Sequence, residues 1–221
     1  MEATQSYTTP LVLAGDPAKN EPAEMLVVLG SDHVTAHDTK DGREIWRVGG
    51  LNPTANGYFR SIASPVAAGE LVIAPYARGE SVTAIRRGGK GDVTASHVAW
   101  ARTDVGSDVP TPAVADGQIV ICSDKGRVVG LDAATGKTRW EKELPKNRNA
   151  YSSSPVIVGG HVIVTREDGA SFTLGVPRAG EPEPKIIGTG SVDEMTVATP
   201  VCVDGRIYLR THDALWCLGS R

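Results

Sequence analysis

Aspartate, threonine, lysine, arginine and tryptophan crowd into Gly130–Trp140, which reads GLDAATGKTRW. Asp132 and Lys137 are a carboxylate and an amine that could work together as a site. Other segments invite comparable readings. RRGGKGD (86–92) has the basic, glycine-rich look of a phosphate cradle, and Asp193-Glu194 could act as paired carboxylates. Histidines 33, 37, 97, 161 and 212 and the three cysteines Cys122, Cys202 and Cys217 are metal-ligand types. Spacing argues against each. Ala84 stands where a phosphate loop needs its first glycine, and Gly91 follows Lys90 where Ser or Thr must hold magnesium. Adjacent carboxylates on a strand point to opposite faces. His33 and His37 do stand at the spacing His-x3-His, but across an expected strand, where residues four apart are too far separated to share a metal as they would on one helix face. The other histidines are scattered, and no Gly-x-Ser-x-Gly nucleophile elbow occurs. The loop 86–92 therefore reads as a hairpin tip, and the charges as turn and loop charges.

What would position such residues is a repeat. Ser/Thr-Pro recurs as Thr9-Pro10, Ser64-Pro65, Thr111-Pro112, Ser154-Pro155 and Thr199-Pro200, with the prolines 55, 47, 43 and 45 residues apart. Each pair opens a short apolar piece and a turn carrying glycine, as in PAVADG (112–117), PVIVGG (155–160) and PVCVDG (200–205); after Pro10 the turn is enlarged by GDPAKNEPAE. Second strands follow at 26–29, 71–74, 119–122, 162–165 and 207–210, and third strands at 34–37, 82–85, 128–131, 171–174 and 214–218. Fourth strands fall at 43–46 (REIW), 96–100 (SHVAW), 137–140 (KTRW) and 184–188 (PKIIG). No stretch sustains a 3.6-residue apolar stripe, so almost no helix is expected. Four short antiparallel strands per unit of this length define an all-β fold, a β-propeller of four-stranded blades. The blades are expected at about 7–50, 60–103, 107–144, 150–190 and 195–221. Radial stacking covers each sheet on both faces, which accounts for strands that are almost continuously apolar.

The opening segment recurs as AHDTKDGREIW (36–46). Asp38 aligns with Asp132, Gly42 with Gly136 and Trp46 with Trp140, all in the spacing Asp-x3-Gly-x3-Trp. The aspartate suits a turn because its carboxylate accepts main-chain N–H bonds. The glycine takes the left-handed residue that returns the chain into a hairpin, and Thr135 and Asp41 fit beside it. Trp46, Trp100 and Trp140 end up on outermost strands. There an indole can cover the seam to the next blade and donate its N–H to that blade's main chain. Trp216 lies on a third strand, at the place of Val129, and is expected in the core between blades. These residues are blade architecture, and no catalytic, cofactor-binding or metal-ligating residue is assigned.

Bulk properties exclude several classes. The 221 residues are 40% apolar with a net charge of −3, so nothing favours nucleic acid or an anionic membrane surface. No apolar run approaches the roughly 20 residues of a spanning helix. Cys202 and Cys217 fall on first and third strands, roughly 9–10 Å apart at about 4.8 Å per strand, too far for a disulfide. The cysteines are expected as free thiols.

TPAVADGQIVICSDKGRVVGLDAATGKTRW resembles one repeat of the PQQ-like (quinoprotein-type) β-propellers, and the likeness extends over nearly the whole chain. GDVTASHVAW, YSSSPVIVGGHVIVTREDGASF and DGRIYLRTHDALWCLG look most like exported bacterial propellers of the BamB-like type. The resemblance implies seven or eight blades. This chain supplies four and three-quarters: GVPRAGEPEPKII replaces the Asp-x3-Gly-x3-Trp element in blade 4, and blade 5 stops at Gly219-Ser-Arg221 after its third strand. Met1–Ser6 carry no pattern for the missing strand. The expectation is a C-terminal part of a longer protein, with a closed ring of five as the alternative.

The resemblance also implies the functional expectations. The first is a non-catalytic scaffold of the bacterial cell envelope or periplasm, of the outer membrane protein assembly type, holding a protein partner or extended peptide through blade loops or edges. It carries no cofactor, no nucleic acid and no membrane-inserted segment. The second is part of a PQQ-dependent oxidoreductase, using PQQ and calcium, whose site lies in other blades; the vicinal cysteine pair usual there is absent. The third is an extracellular sensor domain fused to a kinase.

Overall fold

Each Ser/Thr-Pro pair stands at the entry of an inner strand, where proline's missing N–H costs no ladder bond. A computed structural model describes residues 5–16, 18, 21–79, 81–177 and 183–219. Blade 1 comprises β1 (Leu11–Ala14), β2 (Glu24–Leu29), β3 (Val34–Asp38) and β4 (Glu44–Val48). In blade 2, β5 (Val66–Ala68), β6 (Leu71–Tyr76) and β7 (Ser81–Arg86) are followed by the two-residue β8 (Gly91–Asp92), one helical turn α1 (Thr94–His97) and β9 (Val98–Arg102). Blade 3 is β10 (Ala113–Ala115), β11 (Gln118–Cys122), β12 (Arg127–Asp132) and β13 (Thr138–Glu143). Blade 4 is β14 (Val156–Val158), β15 (His161–Thr165), β16 (Ala170–Gly175) and β17 (Lys185–Ser191). Blade 5 has β18 (Val201–Val203), β19 (Arg206–Arg210) and β20 (Leu215–Leu218). Apart from β8, the strands of each blade pair antiparallel in chain order in an up-and-down sheet.

Two local expectations change. The loop after β7 is more than a hairpin tip: β8 reaches back and pairs in parallel with β4, Trp46 opposite Gly91 and Arg47 opposite Asp92, adding a fifth strand to blade 1. Ser96 and His97, expected on the outer strand of blade 2, instead belong to α1, where Asp92 Oδ1 accepts the Thr94 N–H at 3.0 Å. Near the N-terminus, Ser6 forms an isolated parallel bridge to Ser61. Residues 1–4, 178–182, 220 and 221 lie outside the described residues, and with them part of the blade 4 replacement segment and of the last residues.

Side-chain alternation explains the core. On β6, Val72 and Ala74 join a cluster with Met25, Val27, Leu29 and Trp46 of blade 1. Ile73, between them, joins Ile119, Ile121, Val129 and Leu131 of blade 3. On β11 the neighbours of Ile119 and Ile121, Val120 and Cys122, pack against Val162, Val164, Phe172 and Leu174 of blade 4. A strand buried on both faces must be apolar at every position. No comparable cluster joins blade 4 to blade 5, or blade 5 to blade 1, among the described residues.

The recurrent hydroxyl has its own reason. Thr9 N–H donates to Ser64 Oγ at 2.9 Å, Ser64 N–H to Thr111 Oγ1 at 3.0 Å, Thr111 N–H to Ser154 Oγ at 3.0 Å, and Ser154 N–H to Thr199 Oγ1 at 3.0 Å. Each blade thus hands one N–H to a hydroxyl of the next. An alanine here would leave a main-chain donor without a partner, so Ser or Thr recurs with the blade.

Candidate functional site

The Asp-x3-Gly turns sit between third and fourth strands. Asp132 Oδ1 accepts Thr135 N at 2.9 Å and Thr135 Oγ1 at 2.7 Å, while Arg139 Nη2 donates to Oδ2 at 2.6 Å. Arg139 first, then the Thr135 hydroxyl and N–H, hold the Asp132 pKa down to about 2. The stabilisation that goes with this depression is present above the carboxyl's unfolded pKa and is lost as pH falls toward 2. In blade 1 Asp38 Oδ1 accepts Lys40 N at 3.0 Å and Oδ2 accepts Arg43 Nη2 at 3.3 Å. Gly42 and Gly136 close the turns at φ +75 and +69. Lys137 makes no bond to Asp132 through its amine; its main-chain carbonyl accepts the Asp132 N–H.

Each of the three outer-strand tryptophans faces a small residue on the neighbouring strand. Trp46 lies opposite Ala36, Trp100 opposite Ala84 and Trp140 opposite Gly130. Their N–H groups differ. Only Trp100 meets an intact Asp-x3-Gly turn in the following blade. There it donates to Ala133 O at 3.0 Å, its ring lies against Gly136, and Arg102 Nη1 adds a 2.7 Å bond to Gly136 O. Trp140 faces blade 4, which lacks the turn, and donates instead to Gln118 Oε1 of its own blade at 2.7 Å. Trp46 faces the 86–92 loop of blade 2 and, fully buried, its N–H finds no partner among the described residues. The expected bond to the next blade's main chain therefore forms once, because its acceptor belongs to a turn that blades 2 and 4 have replaced. Trp216 is only half-buried, paired with Leu209, and donates to Glu194 Oε2 at 3.3 Å. The socket residues Gly130, Gln118 and Ala133 escape a reading of one repeat at a time. Glycine in the middle of the apolar run VVGL was the available signal, since it marks close approach.

Antiparallel blades put the second-to-third-strand turns and the crossovers between blades at one end. Polar side chains collect there. Asp108, buried at 8% exposure, accepts Arg60 Nη2 at 3.0 Å, with Arg78 Nε at 3.8 Å. Asp108 Oδ1, Ser107 Oγ and Arg60 Nε are buried without partners among the described residues. Nearby, burial raises the Asp124 carboxyl above the usual range, the Asp108 charge adds to this, and Arg60 partly offsets it. A raised carboxyl disfavours the folded state at neutral pH, and this penalty disappears as pH falls through the raised value. Asp124→Asn keeps an oxygen for the Val109 N–H. It is expected to raise the Tm at neutral pH and leave it unchanged in acid, as thermal melts at the two pH values would read. At the same end, the second-to-third-strand turn of blade 3 and the crossover that follows the blade enclose a cleft of about 730 Å³. Lys125, Lys146 and Arg148 line it together with Asn147 and Asn149, and so do the carboxylates Asp124 and Glu143. These three cations have no ion-pair partner among the described residues.

The remaining chemical candidates stay apart. Cys122 is buried, Cys202 half-buried and Cys217 exposed, all as free thiols; burial pushes the Cys122 and Cys202 thiols up. Asp193 follows β17 at φ 54, and Glu194 accepts from Thr211 Oγ1 and Trp216, so the adjacent carboxylates serve different partners. His37 bonds Thr35 and Gly42 O, and His212 pairs with Asp213. No group of three or more His, Cys, Asp or Glu is placed to hold a metal among the described residues. No described helix is long and apolar enough to cross a membrane.

Five stacked blades with these repeats define a PQQ-like β-propeller. The profile of the family described as outer membrane protein assembly factor BamB matches residues 9–109 and 90–176, and the chain belongs to that family. Among solved structures it is similar to BamB from Moraxella catarrhalis, with 18% identity and a TM-score of 0.69 over 98% of this chain and 60% of that one. The chain thus spans about 60% of the length of that relative. It is also similar to two computationally designed proteins. Ika8 has 13% identity and a TM-score of 0.66 over 89% of this chain and 55% of that one. Ika4 has 13% identity and a TM-score of 0.60 over 80% of this chain and 98% of that one. No curated protein matches.

Proposed function

We propose that the protein is a non-catalytic interaction scaffold of the bacterial cell envelope, working in the periplasm in outer membrane protein assembly. The observation that carries this reading is the BamB family match across the first three blades and three strands of the fourth. The chemistry of the crossover end supports it. Loops fixed on rigid, interlocked blades make binding surfaces with little ordering cost. The cleft at Lys125, Lys146 and Arg148 offers unpaired cations beside side-chain amides, a surface suited to a polar protein partner.

The test is site-specific crosslinking in the envelope of the source cells. A photo-reactive residue at Arg148 should capture one envelope protein reproducibly, while the same group at Asp204, in a first-to-second-strand turn at the opposite end, should not. Capture of nothing specific at Arg148, together with turnover of alcohols or sugars by the purified protein, would overturn the reading.

A further inference from the structure

The seam between blades 4 and 5 lacks the fourth-strand indole of the others; Trp216 stands on the third strand of blade 5, opposite Leu209. In blades 1, 2 and 3 a tryptophan stands on the fourth strand opposite alanine or glycine on the third. In blade 4 the order is inverted: Gly188 stands on β17 opposite Thr173 on β16. The difference in space is large. A methyl group built on Gly130 would lie 2.2 Å from Trp140 Cε2, so the ring already fills that place. A methyl built on Gly188 would meet only the Thr173 side chain, at 3.7 Å, and one on Gly190 would meet nothing within 4 Å. What remains is a cleft of about 400 Å³ with Ile163, Ile207, Leu209 and Leu218 in its walls.

We propose that this cleft receives an aromatic side chain of indole size from a protein partner. The inference rests on the scaffold reading above and names the partner chemistry. Three equivalent seams in the same chain show which group this geometry accepts. The walls are mostly apolar, with Ser171, Thr173, Thr189 and Ser191 also lining the cleft, and the Thr173 hydroxyl can accept an indole N–H. Aromatic anchors in such pockets carry much of the energy of protein interfaces. The route for a side chain is also visible. β17 is the edge of its sheet, and Ile187 beside Gly188 is 55% exposed. In blade 1 the corresponding outer edge is taken by an extended segment, β8, in parallel register with Trp46. A partner segment lying along β17 in the same way would bring its side chain to the gap above Gly188.

The experiment titrates the chain with N-acetyl-tryptophanamide and follows the methyl signals of Ile163, Ile207 and Leu209 by NMR. Saturable shifts are expected, with none from N-acetyl-alaninamide. They should be lost in the double variant Thr173→Ala, Gly188→Trp, which reproduces the tryptophan–alanine pair of blades 1 and 2. If that variant does not fold, Gly188→Leu fills the same space and should also abolish the shifts. Absence of saturable shifts, or equal shifts in the filled variants, would overturn the proposal. A photo-reactive group at Ile187 in cells decides the source. Capture of a protein competed by the tryptophan amide supports a side chain, whereas amide binding without any capture contradicts a protein partner. Failure here leaves the capture at Arg148 untouched, so the two readings fall separately.

Discussion

Trp140→Ala is expected to destabilise the chain by about 3–5 kcal/mol. The indole is 3% exposed and lies in the cluster that joins blades 3 and 4, against Val162, Val164 and Phe172. Its removal takes away apolar contact on both sides of the seam. It also strips Gln118, itself buried, of the donor its side-chain oxygen now has at 2.7 Å. An unmade bond of this kind adds roughly 1–3 kcal/mol to the loss of packing. Domains of this kind are stable by only about 5–15 kcal/mol in total, so the variant should unfold at much lower urea. The neighbouring blades cannot simply close the gap, because their spacing is also set by the Thr111-to-Ser154 bond on the inner strands. Urea denaturation followed by circular dichroism measures the effect. A loss under about 1 kcal/mol would place Trp140 outside any buried seam.

Gly130→Ala should cost about 1–3 kcal/mol, as overpacking does, although it adds only one methyl. The backbone at Gly130 does not need glycine, since its φ is not in the left-handed region. The conflict is with the ring: the methyl would lie 2.2, 2.4 and 2.7 Å from Trp140 Cε2, Nε1 and Cζ2. Trp140 must therefore move, and moving it pulls its N–H from Gln118. A double-mutant cycle isolates this cause. In the Trp140→Ala background the same methyl meets no ring. Gly130→Ala should there be neutral or slightly stabilising, because alanine loses less chain entropy on folding than glycine. Equal costs in both backgrounds would mean that the glycine answers to some other contact.

The strand order was legible because it depends on local alternation and on a repeat that can be counted. The partners of the repeated residues were not legible. Ser64 hydrogen-bonds Thr111, and Trp100 hydrogen-bonds Ala133 in a turn of the following blade; these contacts join two repeats and leave no mark within either. β8 was invisible for a different reason. Gly91-Asp92 has neither an apolar residue nor an alternation, and becomes a strand only because β4 offers it a free edge. The orphaned polar atoms around Asp108 could not be anticipated, since they come together from loops far apart in the chain. For function, the family likeness was legible and the cleft beside Gly188 was not. A glycine on a predicted strand says little until the three filled seams show what is missing there.

The central claim is that indoles and buried aliphatic clusters lock the first three seams while the fourth stands open. Native-state hydrogen exchange tests it most directly. Strands β11 and β12, buried on both faces, should show the slowest amides. β18, β19 and β20 carry Val201, Val203 and Leu215 at 58%, 47% and 69% exposure and, among the described residues, share no core cluster with blade 4. Their amides should exchange faster than those of blade 3 through an opening that leaves the other blades protected. Filling the cleft with Thr173→Ala, Gly188→Trp should slow them selectively. Equal protection of blades 3 and 5 in the unmodified chain would contradict the account.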